Sequence, residues 1–257
     1  MNIVVLVKQT FDTEAKIALN AEGKIDPNGI NLVINPLDEY AIEEALRLKE
    51  KLGGDVTVVT LGGDRAQEAI RTALAMGADK AILVNDPALG EVDEGAAAEI
   101  LAAAVKTLPC DLLLAGVMDT DKGSAQVAVR LAEQLGLPSI SSITKLDVAE
   151  GKAVGVRVID GGNETLEVSL PTVVTVVQGI NEPRYPSVAG IMKAKKKPLS
   201  TVKVADLGLN ASDLAAQMKV MKFTLPVPRQ GGKKLPGEAA EAAHELARLL
   251  REEAKIL

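Results

Sequence analysis

Short apolar runs alternate with amphipathic helical stretches along the first 136 residues, and this alternation restricts the fold more than any other feature. Residues 2–7 (NIVVLV), 55–61 (DVTVVTL), 81–84 (AILV) and 111–115 (DLLLA) read as strands covered on both faces. Helical spacing follows each of them. Ile42, Ala45, Leu46 and Lys49 share one face of the first helix. Asp38 is its expected N-cap after Asn35-Pro36, and Glu43, Glu44, Arg47 and Lys51 form its expected solvated side. Residues 65–76 and 95–106 give two more helices, and Ala128, Leu131, Ala132 and Leu135 mark a fourth, stopped by Gly136 and Pro138. Four β–α units in a row predict an α/β fold, a doubly wound and mostly parallel sheet with right-handed crossovers.

In such sheets ligands lie beyond the C-terminal strand ends, at the switch point. The candidate rim is therefore residues 6–8, 35–38, 61–63 and 116–127, four segments expected to meet at one crevice. The most suggestive of them is the strand–loop–helix joint GVMDTDKGSAQVAVRLAEQL, residues 116–135. It aims helix N-terminal amides and a positive dipole end at whatever sits above the strand tip, typically a phosphate. No GxGxxG follows the first strand and no GxxxxGK[ST] occurs, so neither a Rossmann dinucleotide site nor a P-loop is supported.

Composition removes other classes. Aromatics are 2% with no Trp, so the core is aliphatic and a base-stacking nucleic-acid surface is not expected; the net charge of -6 argues the same way. One Cys, Cys110, and one His, His244, exclude a disulfide within the chain and a Cys/His metal centre. His244 sits on a charged helix with no partners for Ser–His–Asp catalysis. No apolar run is long enough for a signal peptide or membrane span, which predicts a cytoplasmic chain without membrane insertion.

After residue 139 the strands change character. Residues 139–148, 153–159, 165–169 and 172–177 are joined by short turns, which favour antiparallel neighbours and predict an added β-meander. Residues 16–33 suggest a hairpin excursion, and residues 8–13 an exit loop. Residues 198–235 are irregular and suggest an arm lying along another subunit. Residues 236–257 read as a helix with a stripe of Ala239, Ala243, Leu246, Leu250 and Ala254. The expected organisation is a nucleotide-binding domain over residues 1–200 and an arm and helix over 201–257.

Four segments carry a family resemblance. VRVIDGGNETLEVSLPTVVT (156–175), NPLDEYAIEEALRLKEK (35–51), IRTALAMGADKAILV (70–84) and NEPRYPSVAGIMKAKKK (181–197) resemble, in sequence and order, the β (small) subunit of electron-transfer flavoprotein. The resemblance covers nearly the whole chain. It implies an adenine-nucleotide α-hydrolase-like fold and a heterodimer with a larger α subunit that holds most of a redox-active FAD. It also implies an adenine nucleotide in this subunit, AMP in simple carriers or a second FAD in electron-bifurcating members. Carried over by position, the nucleotide contacts fall on Leu6, on Asn35, Pro36, Leu37 and Asp38, and on Leu61 and Gly116. The rest lie in one loop: Asp121, Lys122, Gly123, Ser124, Ala125, Gln126 and Val127. On this reading, backbone groups near Leu6 and Leu61 meet an adenine edge and Asn35 bonds a ribose or base. The amides from Ser124 to Val127 hold phosphate.

The sequence departs from the family pattern in places. AMP-type members often show three acids and then CNQTG, where this chain has Asp121-Lys122-Gly123-Ser124-Ala125-Gln126-Val127. The SAQV run is nearer the TAQV of bifurcating members, but their following Gly-Pro is Ala128-Val129 here, and the reading favours AMP. Two flavin-side aromatics of the family are replaced by Thr13 and Leu37. The segment 181–197 corresponds to the family's recognition loop for acyl-CoA or other flavoprotein dehydrogenases of fatty acid β-oxidation. Arg184, Tyr185, Val188, Ile191 and Met192 are its expected partner contacts, Val188 standing where the family has Leu. Electrons would then pass to a membrane quinone oxidoreductase or another acceptor. From the residues alone, two other classes stay open. One is a nucleotide-hydrolysing or adenylating enzyme of the same fold, which would want a glycine-rich loop where residues 8–13 have no Gly. The other is a nucleotide-sensing module.

Overall fold

The computed structural model describes residues 1–229 and 231–257. Their elements, in chain order, begin with β1 (Asn2–Leu6), β2 (Gln9–Phe11), β3 (Leu32–Ile34), α1 (Pro36–Leu52), β4 (Asp55–Leu61) and α2 (Ala66–Met76). There follow β5 (Lys80–Val84), α3 (Glu94–Lys106), β6 (Leu112–Gly116), α4 (Val127–Leu135), β7 (Ser139–Ala149) and β8 (Lys152–Ile159). The last are β9 (Gly162–Ser169), β10 (Thr172–Val176), α5 (Val188–Ala194), β11 (Leu199–Val202) and α6 (Ala239–Glu252). The chain divides into one unit of residues 1–17 and 26–221 and another of residues 18–25 and 222–257.

The first unit is built on a nine-stranded sheet of order β11-β5-β4-β1-β6-β10-β7-β8-β9, parallel from β11 through β7. The chain winds leftward from β1 to β4 and β5, then crosses through α3 to β6 on the other side of β1. The switch point therefore lies between β1 and β6. Alternation along β1 supplies both faces. Ile3 and Val5 join a buried cluster with α1 and α2, while Val4 and Leu6 join one with α3 and α4.

Several expectations change in three dimensions. Asp38 is not the N-cap of α1; Asn35 holds that position, Pro36 opens the helix, and the Asp38 carboxylate is bonded elsewhere. Glu43 and Glu44 are 2% and 8% exposed instead of solvated, because the segment from residue 181 returns across them. Residues 9–11 form β2, which pairs with β3 in a separate two-stranded ribbon, so the expected loop is partly strand. The meander is real for β7, β8 and β9. β10 does not join it: all five of its residues are buried, and it lies between β6 and β7, parallel to both. Burying a continuous apolar strand in the sheet centre outweighs pairing with its neighbour in sequence. β7 serves both arrangements by bending near Ser142, where φ is 61° and the register shifts.

Residues 201–221 belong to the first unit, not to the arm: β11 pairs with β5, and Val204 and Leu214 are buried against α3 and α4. The second unit contains a bridge between Leu19 and Ile25, and α6, none of whose residues is buried. Gln230, within the stretch read as irregular, lies outside the described residues.

Candidate functional site

The C-terminal ends of β1, β4, β5 and β6 surround a cavity of about 600 Å³. All four expected rim segments reach it. Leu6 and Lys8 come from β1 and its exit, Asn35 and Asp38 from the start of α1, Leu61 to Gly63 from the end of β4, and Gly116 with the following loop from β6. Of the residues singled out from the sequence, Leu6, Asn35, Asp38, Leu61, Gly116, Asp121, Lys122, Ser124, Ala125, Gln126 and Val127 line it. Pro36, Leu37 and Gly123 are not among its lining residues. Pro36 opens α1, and Leu37 packs where Gly116 passes.

Asp38 ties the mouth together. Its Oδ2 accepts from the Lys8 amide at 2.8 Å and its Oδ1 from the Gly116 amide at 3.1 Å. One carboxylate thus joins the tips of β1 and β6 to the first turn of α1. A Cβ on Gly116 would lie 2.5 Å from Asp38 Oδ1 and 2.8 Å from Leu37, so no larger residue fits there without displacing α1. Burial pushes the Asp38 carboxyl up to about 7, against the stabilising amides of Lys8 and Gly116.

The loop after β6 is shaped by ion pairs. Lys8 Nζ lies 2.6 Å from both Asp119 Oδ2 and Asp121 Oδ1, while Asp119 Oδ1 accepts from the amides of Lys122 and Gly123. Burial alone would raise the Asp119 carboxyl; the Lys8 ammonium and those amides outweigh it and hold it below the usual range. Lys122 reaches across to Glu94 at 3.4 Å and to the Val92 carbonyl, bridging the loops that follow β6 and β5. Most acids on the lining are likewise spent. Asp86 accepts from Ala88 and Val204, and Asp93 from Ala96, Gln217 and Met218.

Unspent donors lie at the start of α4. Ala125 holds φ at 54°, and the helix begins without a side-chain cap. Among the described residues, the amides of Ser124 to Val127 have no hydrogen-bond acceptor in the protein. An acceptor is also unmatched: Asn35 is 1% exposed, its Nδ2 donates to the Met118 carbonyl at 3.0 Å, and its Oδ1 has no partner. A group carrying both a phosphate and a hydrogen-bond donor fits this donor and acceptor set.

Sequence reasoning missed one wall. The connection from β5 to α3 contributes Asn85, Pro87, Leu89, Gly90 and Val92, and Glu94 joins them from the first turn of α3. The signal is in the sequence, since residues 81–84 read as a strand and its exit leaves from the same end of the sheet as the others. Asp119 belongs to the rim segment 116–127, but its pairing with Lys8, 111 residues away, is not legible in the sequence.

The expected partner contacts separate into two groups. Tyr185 and Val188 are 95% and 81% exposed, and Ile191 and Met192 are exposed beside them. Arg184 is instead paired with Glu43 and Glu50 of α1. Among the described residues no helix is long and apolar enough to cross a membrane, and no group of three or more His, Cys, Asp or Glu is placed to hold a metal ion.

The electron transfer flavoprotein domain matches residues 23–207. The chain is 49% identical over 258 residues to the electron transfer flavoprotein subunit beta of Bacillus subtilis (strain 168), with 100% of both chains covered. It is 46% identical over 257 residues to that of Syntrophomonas wolfei, covering 100% of this chain and 98% of the relative. The corresponding Mycobacterium bovis subunit is 37% identical over 259 residues, with 97% of each covered. The family match over most of the chain and the end-to-end relatives agree: the chain belongs to the electron transfer flavoprotein family, as a β subunit.

Proposed function

We propose that this chain pairs with an electron transfer flavoprotein α subunit, holds an adenine nucleotide in the cavity above β1 and β6, and serves as an electron carrier with no catalysis of its own. AMP is the favoured nucleotide. The single observation that carries this reading is the set of unsatisfied amides at the start of α4, opening on a cavity that Asn35, with its unmatched Oδ1, also lines. The amides of Ser124 to Val127 would hold phosphate, Asn35 the base or ribose, and Asp38 would brace the mouth. FAD, held mostly by the α subunit, would supply the redox chemistry.

Donors would be acyl-CoA or other flavoprotein dehydrogenases, docking through residues 181–197 in a cytoplasmic setting. The acceptor would be a membrane quinone oxidoreductase or an equivalent. A small apolar patch beside Lys193, Lys195 and Lys196 suits a brief encounter, in which charge speeds association and the small contact permits release.

One observation favours a second reading, in which this subunit holds another FAD. The connection from β5 to α3, with Pro87 and Leu89, also lines the cavity, a wall that a nucleotide larger than AMP would contact. Acid release of nucleotide from the purified heterodimer, resolved by chromatography, decides between them. One FAD and one AMP per dimer are expected; two FAD would overturn the AMP reading and favour electron bifurcation.

A further inference from the structure

Arg184 lies in the exposed segment but is tied down beneath it. Its Nε donates to Glu43 Oε2 at 2.8 Å and its Nη2 to Glu43 Oε1 at 3.1 Å. Its backbone amide donates to the same Oε2 at 3.2 Å, and Nη1 and Nη2 both reach Glu50. Glu43 also accepts from Arg47 Nε at 2.8 Å and is 2% exposed, out of reach of any docking protein. Burial by itself would raise the Glu43 carboxyl, but the two guanidinium groups hold it below its ordinary value. Three residues upstream, the Asn181 amide group donates to the Tyr40 carbonyl and to Glu44 Oε2, each at 3.0 Å. The segment is therefore fastened to two successive carboxylates of α1.

Its other end is fastened to α2 and the turn that follows it. Arg71 donates to the Ala194 carbonyl at 2.7 Å, and Lys197 donates to the carbonyls of Leu74 and Ala78 at 2.9 and 2.6 Å. Between these anchors stand Tyr185 and Val188, almost wholly exposed. Exposed apolar side chains gain nothing for the isolated fold, and docking through them is cheaper when the backbone is already ordered. A bidentate fork on a buried carboxylate fixes direction as well as position, which a lysine cannot reproduce.

We propose that Arg184 and Glu43 are positioning residues that hold the face formed by Tyr185, Val188, Ile191 and Met192 ready for a donor dehydrogenase without touching it. This rests on the docking reading given above. The test uses the intact heterodimer reduced by medium-chain acyl-CoA dehydrogenase with octanoyl-CoA. Glu43→Gln and Arg184→Lys are each expected to raise the KM for the flavoprotein about tenfold, the scale of one charge-assisted hydrogen bond, with kcat and flavin content unchanged. Amides of residues 187–194 should exchange with solvent faster in Arg184→Lys, and Val188→Asp should raise KM by itself. If Arg184→Lys keeps the wild-type KM, or if Glu43→Gln does so while Val188→Asp impairs transfer, the positioning role is overturned and the docking reading stands. If Val188→Asp leaves transfer unaltered, the docking reading fails and takes the proposal with it.

Discussion

Asp38 occupies the first turn of α1, where a negative charge meets the positive end of the helix dipole, yet its carboxylate is spent on the amides of Lys8 and Gly116. Its pKa of about 7 in the fold, against 3.8 as the ordinary value, has a definite sign. Between those values the unfolded chain has released the proton and the fold has kept it. Stability therefore falls as pH rises from about 4 to about 7 and levels off above that, with a slope of up to about 1.4 kcal/mol per pH unit. Urea unfolding of the wild type and Asp38→Asn over this range should show their difference shrinking with rising pH. A pH-independent difference would mean that the carboxyl titrates normally. Residue spacing showed that Asp38 lies at the rim. Its buried role was not legible, because the two amides it serves are 30 and 78 residues away.

Among the elements, α5 shows how a short helix is held by backbone approach. Its Gly190 comes so close to the Ala75 carbonyl of α2 that a Cβ would collide with it. A helix carbonyl cannot move aside, so Gly190→Ala should lift α5 from α2. The expected cost is about 1–3 kcal/mol, read by urea unfolding, with faster exchange of the amides of residues 188–194; an unchanged midpoint would show that α5 is loosely seated. The principal strands and helices of the parallel half were legible because each carries its own period of two, of 3.6, or an unbroken apolar run. The position of β10 was not. Turn length describes the neighbour in sequence, whereas its place between β6 and β7 is set by what it buries there.

At the scale of the whole molecule, the C-terminal segment stands out. α6 has no buried residue, and Val220, Met221, Leu225 and Val227 are all more than half exposed. A chain ending at Met221 should fold with a cooperative transition near that of the full chain. It should also fail to co-purify with an α subunit, if residues 222–257 are the arm that grips it. Normal pairing of the shortened chain would show that the grip lies elsewhere. Val204 and Leu214 show why the boundary expected at residue 200 falls later: two isolated apolar residues in an irregular stretch carry no period, but they fill the surface left by α3 and α4.

Local pattern by itself determined the class of the fold and the strand ends that would face a ligand, because both follow from periodicity and from the handedness of parallel crossovers. The family could be read in the same way, from long segments in fixed order. Only the tertiary structure decided which charges are buried, which rim residues stand back from the cavity, and that Arg184 is tied down onto α1. These depend on groups far apart in the chain meeting where water is excluded, and there the cost of an unpaired charge selects the partner.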